Sequence, residues 1–193
     1  GGDNNDDLYG DSKKVSEGDK LRSFIDICRA KRLSMDQWSR QLSSQHASIS
    51  ANQLPVFHHA WTAWKKANSL LDFTDLLEIC INDVEIAPGM PAVIIGDEAQ
   101  DWSKLALDLL LKWGKNAVKT ILAADANQAI FNFAGADAAN FLALPVRPEH
   151  KHVLGQSYRL PVTAHTVAQR WLQRAQVRED ATYLPRVDEE GLF

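Results

Sequence analysis

From Leu21 the apolar positions Leu21, Phe24, Ile25 and Cys28 recur at the i, i+3, i+4, i+7 spacing of an amphipathic helix, with Arg22, Arg29, Lys31 and Arg32 along or just beyond the stripe. Ser34-Met35-Asp36-Gln37 has the spacing of a capping box and predicts a second helix through Trp38 and Leu42. After a polar stretch from Ser43 to Asn52, the positions Phe57, Trp61, Trp64 and Leu71 continue the helical period. Asn68 interrupts that stripe, and Lys65 and Lys66 are expected to face water. Asp72 stands where it can cap a further helix whose apolar face is Phe73, Leu76, Leu77 and Cys80, ending near Asn82-Asp83.

At Pro88-Gly89 the pattern changes. Ala92-Val93-Ile94-Ile95 is a short continuous apolar run, which predicts a strand covered on both faces. A helix is expected from Trp102 to Trp113, a second buried strand over Val118 to Ala123, and a short helix from Asp137 to Leu144. His152 to Gln156 then reads as a third strand, and Pro161 to Ala175 as a helix with proline in its first turn. Strands separated by helices imply a parallel sheet, so the fold class is α/β, preceded by an all-helical lobe.

Residues 1–19 hold Asp3, Asn4, Asn5, Asp6, Asp7, Gly10, Asp11 and Gly18, and are expected to be a flexible lead-in because they offer little apolar surface to bury. Residues 20–70 form the helical lobe, 71–160 the α/β part, and 161–193 a further helix and tail. The tail from Tyr183 is too short to classify. A chain of 193 residues, 45% of them hydrophobic, is long enough to bury one sizeable core. No apolar run approaches the roughly 20 residues of a membrane span, and a secretory leader pattern is lacking, so a cytoplasmic protein is expected. The opening Gly1-Gly2, without an initiator Met, suggests a fragment of something longer. Cys28 and Cys80 both fall on apolar helix faces and read as core thiols. A net charge of −4 argues against a surface that wraps duplex DNA, though not against a local groove.

The chemistry concentrates after the strands. Asp97 and Glu98 follow the first apolar run, where open α/β sheets bind ligands. By itself the pair reads as a solvated acidic turn. Its other reading is mechanical: in nucleotide hydrolysis one carboxylate holds Mg²⁺ on the phosphates and a second orients and deprotonates the attacking water. Ala124-Asp125-Ala126-Asn127-Gln128-Ala129-Ile130-Phe131-Asn132-Phe133 brings an amide, Gln128, to the end of the second strand. Phe131 and Phe133 are either core residues or a platform for unpaired bases. Arg159, closing Gln156-Ser157-Tyr158-Arg159, is either a surface ion-pair partner or a cation for charge building on a transferred phosphoryl group. His58-His59 and the His150/His152 pair lack partners at metal-ligand spacing, and Trp38, Trp61 and Trp64 follow the core stripe.

Together these segments resemble the UvrD/Rep/PcrA group of superfamily 1 DNA helicases. Asp97-Glu98-Ala99-Gln100-Asp101 looks like helicase motif II, and Asp125 to Ala136 looks like motif III. Leu154-Gly155-Gln156-Ser157-Tyr158-Arg159 is similar to motif IV, and Leu71-Asp72-Phe73-Thr74-Asp75-Leu76-Leu77 resembles the segment that precedes motif II. The resemblance is specific from Leu71 to Arg159 and looser over the helical lobe, which is similar to the accessory domain inserted into the first RecA-like domain. It implies a partial RecA-like sheet, with residues 161–193 starting the second RecA-like domain. It implies further that Asp97 holds Mg²⁺, that Glu98 is the general base, and that Gln128 and Arg159 contact the γ-phosphate of ATP. Phe131 and Phe133 would meet single-stranded DNA, while Gln100 and Asp101 would couple the two sites.

The departures matter as much. The chain contains no Gly-x-x-x-x-Gly-Lys-Ser/Thr loop, so the triphosphate cradle would lie on another segment, and these residues alone are not expected to hydrolyse ATP. Gly96 replaces a bulky apolar residue, Ala124 a glycine, Ser157 an asparagine, and Ala134 the arginine usual beside the aromatic. The leading expectation is an internal fragment of an ATP-dependent helicase that translocates on single-stranded DNA, its partners being ATP, DNA and the remaining helicase domains. A helicase-nuclease of the RecB/AddA type fits the same residues. The alternative is a non-catalytic module that binds single-stranded DNA or a protein. A metal-dependent nuclease using Asp97, Glu98 and Asp101 would leave Gln128 and Arg159 without a role.

Overall fold

The structure is a computed structural model and describes residues 16–45, 52–176, 178–179 and 183–186. Contacts divide it into two compact units, one within Gly1–Arg29 and Leu33–Leu71, the other within Ala30–Arg32 and Asp72–Phe193.

The first unit holds α1 (Glu17–Ala30), α2 (Met35–Gln45) and α3 (Gln53–Ala67). α1 starts inside the stretch expected to be a lead-in, because Ser16 Oγ accepts the Asp19 N–H at 3.1 Å and Glu17 and Asp19 place negative charge in the first turn. The earlier part of that stretch, 1–15, and residues 46–51 of the polar stretch lie outside the described residues. The Ser34 box closes in both directions: Gln37 N–H donates to Ser34 Oγ at 3.3 Å, and Ser34 N–H to Gln37 Oε1 at 2.7 Å. The predicted stripe of α1 is buried, and Leu21, Phe24, Ile25 and Cys28 pack with Trp38 and Leu54 into one core. Full burial of a side chain such as Ile25 or Leu54 contributes about 1.5–3 kcal/mol.

α3 departs from its predicted register. Lys65, expected in water, is buried, with its ammonium 5.8 Å from the centre of the Trp61 ring. Trp64 is 49% exposed and stacks on Trp61 at 5.1 Å. The aliphatic stem of a lysine packs like a hydrocarbon and its charge is tolerated against an aromatic face, so a period read from residue type alone assigns the wrong side. Leu71 lies beyond the end of this helix, which closes where the Leu70 N–H donates to Lys65 O at 2.9 Å across Ser69, whose φ is 56°.

The second unit is α/β. It comprises α4 (Phe73–Asp83), β1 (Val93–Gly96), α5 (Lys104–Gly114), β2 (Lys119–Leu122), α6 (Ala138–Leu142) and α7 (Val162–Leu172), with short 3-10 turns between them. Asp72 caps α4 as expected, and Asp75 reciprocates: Asp75 N–H reaches Asp72 Oδ1 at 2.7 Å, and Asp72 N–H reaches Asp75 Oδ2 at 2.9 Å. The Asp-Phe-x-Asp segment is therefore a capping box built from two aspartates, a feature contributing about 1 kcal/mol. The predicted apolar face of α4 is only partly covered, with Leu77 half-buried. Phe73 is 88% and Leu76 46% exposed, and Cys80 is only half-buried. α4 packs on α5, where Trp113 Nε1 donates to Val84 O at 3.0 Å and Lys112 Nζ to Ile81 O at 2.9 Å. Both cysteines are free thiols.

β1 and β2 pair in parallel, Val93 opposite Lys119 and Gly96 opposite Leu122. Their composition predicts cover on both faces, but only one face is covered. Ile94, Gly96, Thr120 and Leu122 turn toward the covered side, while Val93 at 47%, Ile95 at 68% and Ile121 at 40% exposure form an open one. α5 lies against the covered side, since a Cβ on Gly96 would meet Leu110 and one on Gly114 would meet Thr120. The third predicted strand does not form: residues 152–155 are irregular, and Gln156 makes a single parallel bridge to Leu184. Val153 and Leu154 have the composition of a strand, yet a strand exists only through a paired neighbour. Helix ends differ slightly from expectation: Ser103 caps α5, leaving Trp102 outside, and Pro161 is the N-cap of α7. Among the described residues no helix is long and apolar enough to cross a membrane.

Candidate functional site at the carboxyl edge of the sheet

β1 and β2 end side by side, and the main chain continues their pairing. Ala123 N–H donates to Gly96 O at 2.8 Å and Ala99 N–H to Ala123 O at 3.0 Å. The loops after the two strands are therefore joined at their roots. Asp97 and Glu98 are exposed at the first root, and Ala99 and Gln100 turn inward as part of a 3-10 turn, Ala99–Asp101. Glu98 makes this reversal in the left-handed region, φ 52° and ψ 40°, and its N–H is held by Asp97 Oδ1 at 3.0 Å. That conformation is sparse for a residue with a Cβ, and such strain is kept where the surroundings fix it.

Gln100, 1% exposed, is the polar centre of the site. Its Nε2 donates to Glu98 Oε2 at 2.8 Å and lies 3.5 Å from Asp101 Oδ2, while its Oε1 accepts the Asp125 N–H at 3.0 Å. One buried amide thus joins the acidic loop to the loop after β2. The other carboxylate oxygen of Asp101, Oδ1, is buried with no hydrogen-bond partner among the described residues. In the second loop Asp125 caps the 3-10 turn Ala126–Gln128, accepting the Asn127 N–H on Oδ1 at 3.0 Å and Gln128 Nε2 on Oδ2 at 2.6 Å. α6 packs on both 3-10 turns.

Phe131 and Phe133 follow on a loop anchored at each end, by the Gln128 turn and by the bridge of Ala136 to Ser103. Gly135 makes the return with φ 91°. The rings are 40% and 72% exposed, with centroids 5.7 Å apart and planes 46° from parallel. They are not core residues of the second unit.

Arg159 lies on a third segment. Residues 155–160 run beside 184–186, Ser157 N–H donating to Leu184 O at 2.9 Å and Arg186 N–H to Leu160 O at 2.8 Å. The buried Ser157 hydroxyl oxygen accepts the N–H groups of Arg159 and Leu160 at 3.2 and 2.9 Å. The Arg159 side chain is exposed, and among the described residues no hydrogen bond or ion pair joins it to Asp97, Glu98 or Gln128. Hydrogen bonds thus connect Glu98, Gln100, Asp101 and Gln128, and among the described residues none of these bonds includes Arg159.

Two contributors are not singled out by residue type and spacing. Asp125 lies within the quoted motif without a role of its own, although an aspartate three positions before Gln128 is a local capping signal. Asn127 carries no signal, because its partner is distant in sequence: its side-chain amide exchanges two hydrogen bonds with the main chain of Glu179, Nδ2 to O at 3.0 Å and Oδ1 from N at 2.9 Å.

Carboxylate oxygens on a strand-end loop are the ligand type that Mg²⁺ takes together with phosphate oxygens, and Asp97 offers one in the open. The cradle for a triphosphate is not among these residues. No curated protein matches the chain. The family described as the UvrD/REP helicase N-terminal domain matches residues 3–148. A match over most of the sequence, carrying the acidic pair, the buried amide and the Gln128 turn, makes this chain a member of the UvrD/REP helicase N-terminal domain family.

Proposed function

We propose that these residues supply the hydrolytic half of an ATP-driven motor on single-stranded DNA. The observation that supports this reading best is the buried Gln100, which ties the carboxylate of Glu98 to the loop of Gln128. Mg²⁺ held by Asp97 would neutralise charge on the phosphates of ATP. Glu98 accepts the proton of the attacking water on Oε1, since Oε2 is held by Gln100. Gln128 presents its amide to the terminal phosphate, and Arg159 approaches that phosphate only when the two RecA-like domains close. Gln100 and Asp101 transmit the state of this site to the Phe131–Phe133 loop. Residues 20–70 serve as the accessory lobe, and 161–193 open the second RecA-like domain. A RecB/AddA-type parent would use the same residues.

A solvent-facing aromatic pair on an anchored loop fits stacking against unpaired bases, which contributes about 1–3 kcal/mol per base. The test is fluorescence anisotropy with a labelled single-stranded oligonucleotide at low salt. Phe133→Ala, the more exposed ring, is expected to weaken binding about fivefold or more, with Phe131→Ala close behind. Affinity unchanged in both variants would remove the aromatic pair from the DNA contact. Binding that is insensitive to ATP and Mg²⁺ in every context would favour a non-catalytic binding module.

A further inference from the structure

The Gln128 turn contains a group to which neither motif nor spacing assigns a role. Asp125 engages three partners at once: its N–H donates to Gln100 Oε1 at 3.0 Å, Oδ1 accepts the Asn127 N–H at 3.0 Å, and Oδ2 accepts Gln128 Nε2 at 2.6 Å. We propose that Asp125 is the positioning residue for the Gln128 amide, fixing which end of it faces outward and linking that choice through Gln100 to Glu98. The proposal rests on the reading that Gln128 addresses the terminal phosphate.

An ionised carboxylate only accepts hydrogen bonds, whereas a glutamine amide has one donating end and one accepting end. Facing Asp125, Gln128 must turn its NH₂ inward, because the opposite orientation sets carbonyl oxygen against carboxylate oxygen. One N–H is then spent on Asp125, and the second N–H and Oε1 remain for a ligand. Gln100 is fixed by the same logic at both ends: Nε2 meets the acceptor-only Glu98, and Oε1 meets the donor-only N–H of Asp125. No amide in the path can turn over without breaking a bond. The resulting series, Glu98 to Gln100 to Asp125 to Gln128, joins two exposed groups through a residue that is 1% exposed. The path from the Glu98 carboxylate to the Gln128 amide thus runs through three hydrogen bonds and the covalent frames of Gln100 and Asp125.

The experiment is NMR of the ¹⁵N-labelled 193-residue chain without nucleotide, following the side-chain NH₂ signals of Gln128 and Gln100, assigned with Gln128→Ala and Gln100→Ala. In Asp125→Ala the Gln128 pair is expected to move to the position of a free glutamine amide. Asp125→Asn is the discriminating variant, because Asn keeps an oxygen to cap the Asn127 N–H and then turns its NH₂ toward Gln128, where only the carbonyl end of Gln128 can pair with it. A capping role alone leaves the Gln128 signals of this variant where they were; positioning shifts or splits them. Gln100→Ala is expected to shift the Gln128 pair although no hydrogen bond joins the two side chains directly. If Asp125→Ala does not fold, Asp125→Asn decides. Gln128 signals unmoved in Asp125→Asn and Gln100→Ala, with backbone spectra intact, would overturn the proposal. A parallel titration with Mn²⁺, read as broadening at Asp97 and Glu98, tests the hydrolytic reading separately: without broadening that reading fails while the amide shifts still report on Asp125.

Discussion

Glu98→Gln abolishes most of the ATP turnover of a polypeptide that joins these residues to a phosphate-binding loop, lowering kcat about 10²–10⁴-fold, the range lost with a general base. Nucleotide affinity changes little, because Asp97 and the phosphate contacts are untouched. The substitution is nearly isosteric, and the carbonyl oxygen of the introduced amide can still accept from Gln100 Nε2, so the fold of the loop persists. What disappears is the ability to take a proton. The measurement is steady-state phosphate release beside fluorescent-nucleotide binding; a variant retaining more than about a tenth of wild-type turnover would exclude Glu98 as the base. The isolated 193-residue chain, having no Gly-x-x-x-x-Gly-Lys-Ser/Thr loop, shows no turnover in the same assay.

Gly96→Val is expected to destabilise the second unit by about 1–3 kcal/mol, the usual cost of overpacking. A Cβ at this position would lie 2.7 Å from both Leu122 Cδ2 and Trp102 Cη2, and 3.2 Å from Leu110 Cδ1. The leucine tip can swing away at small cost, whereas the larger indole needs more room to turn, so part of the strain is expected to fall on the backbone of β1. Since Asp97 and Glu98 follow directly, the displacement reaches the acidic pair. Urea unfolding gives the loss, and adding Leu122→Ala should recover part of it, because contacting residues do not behave additively. An equal loss with and without Leu122→Ala would place the strain elsewhere. The bulky residue usual at this position in the resembling helicases is thus replaced here by Trp102 and Leu122 reaching over a glycine.

Sequence alone carried the local features. The Ser34 capping box, the Asp72 cap, the α1 core stripe, the change from helix to α/β at Pro88-Gly89 and the placement of Asp97-Glu98 after a strand depend on neighbours within a few positions. Such signals are written in the order of residue types, because the partner of each group is close in the chain. Faces and pairings were not legible in that way. The buried Lys65, the exposed Phe73 and Leu76, and the open side of the sheet depend on which elements pack together. Among the described residues the strand-like segment at His152 to Gln156 finds a bridge partner at Gln156 alone, in Leu184.

The same division runs through the candidate site. Four segments in order, Leu71 to Leu77, Asp97 to Asp101, Asp125 to Ala136 and Leu154 to Arg159, suggested the family, and the resemblance in turn implied the reaction. That Gln100 is the buried joint between the two loops and that Asn127 grips Glu179 was decided by the tertiary structure, whereas the bond of Asp125 to the Gln128 amide spans only three positions. A hydrogen bond spanning 25 or 52 residues has no periodicity to announce it. The bond of Asp125 to Gln100 forms because parallel pairing of β1 and β2 delivers two loops to one edge, where buried donors and acceptors must find each other.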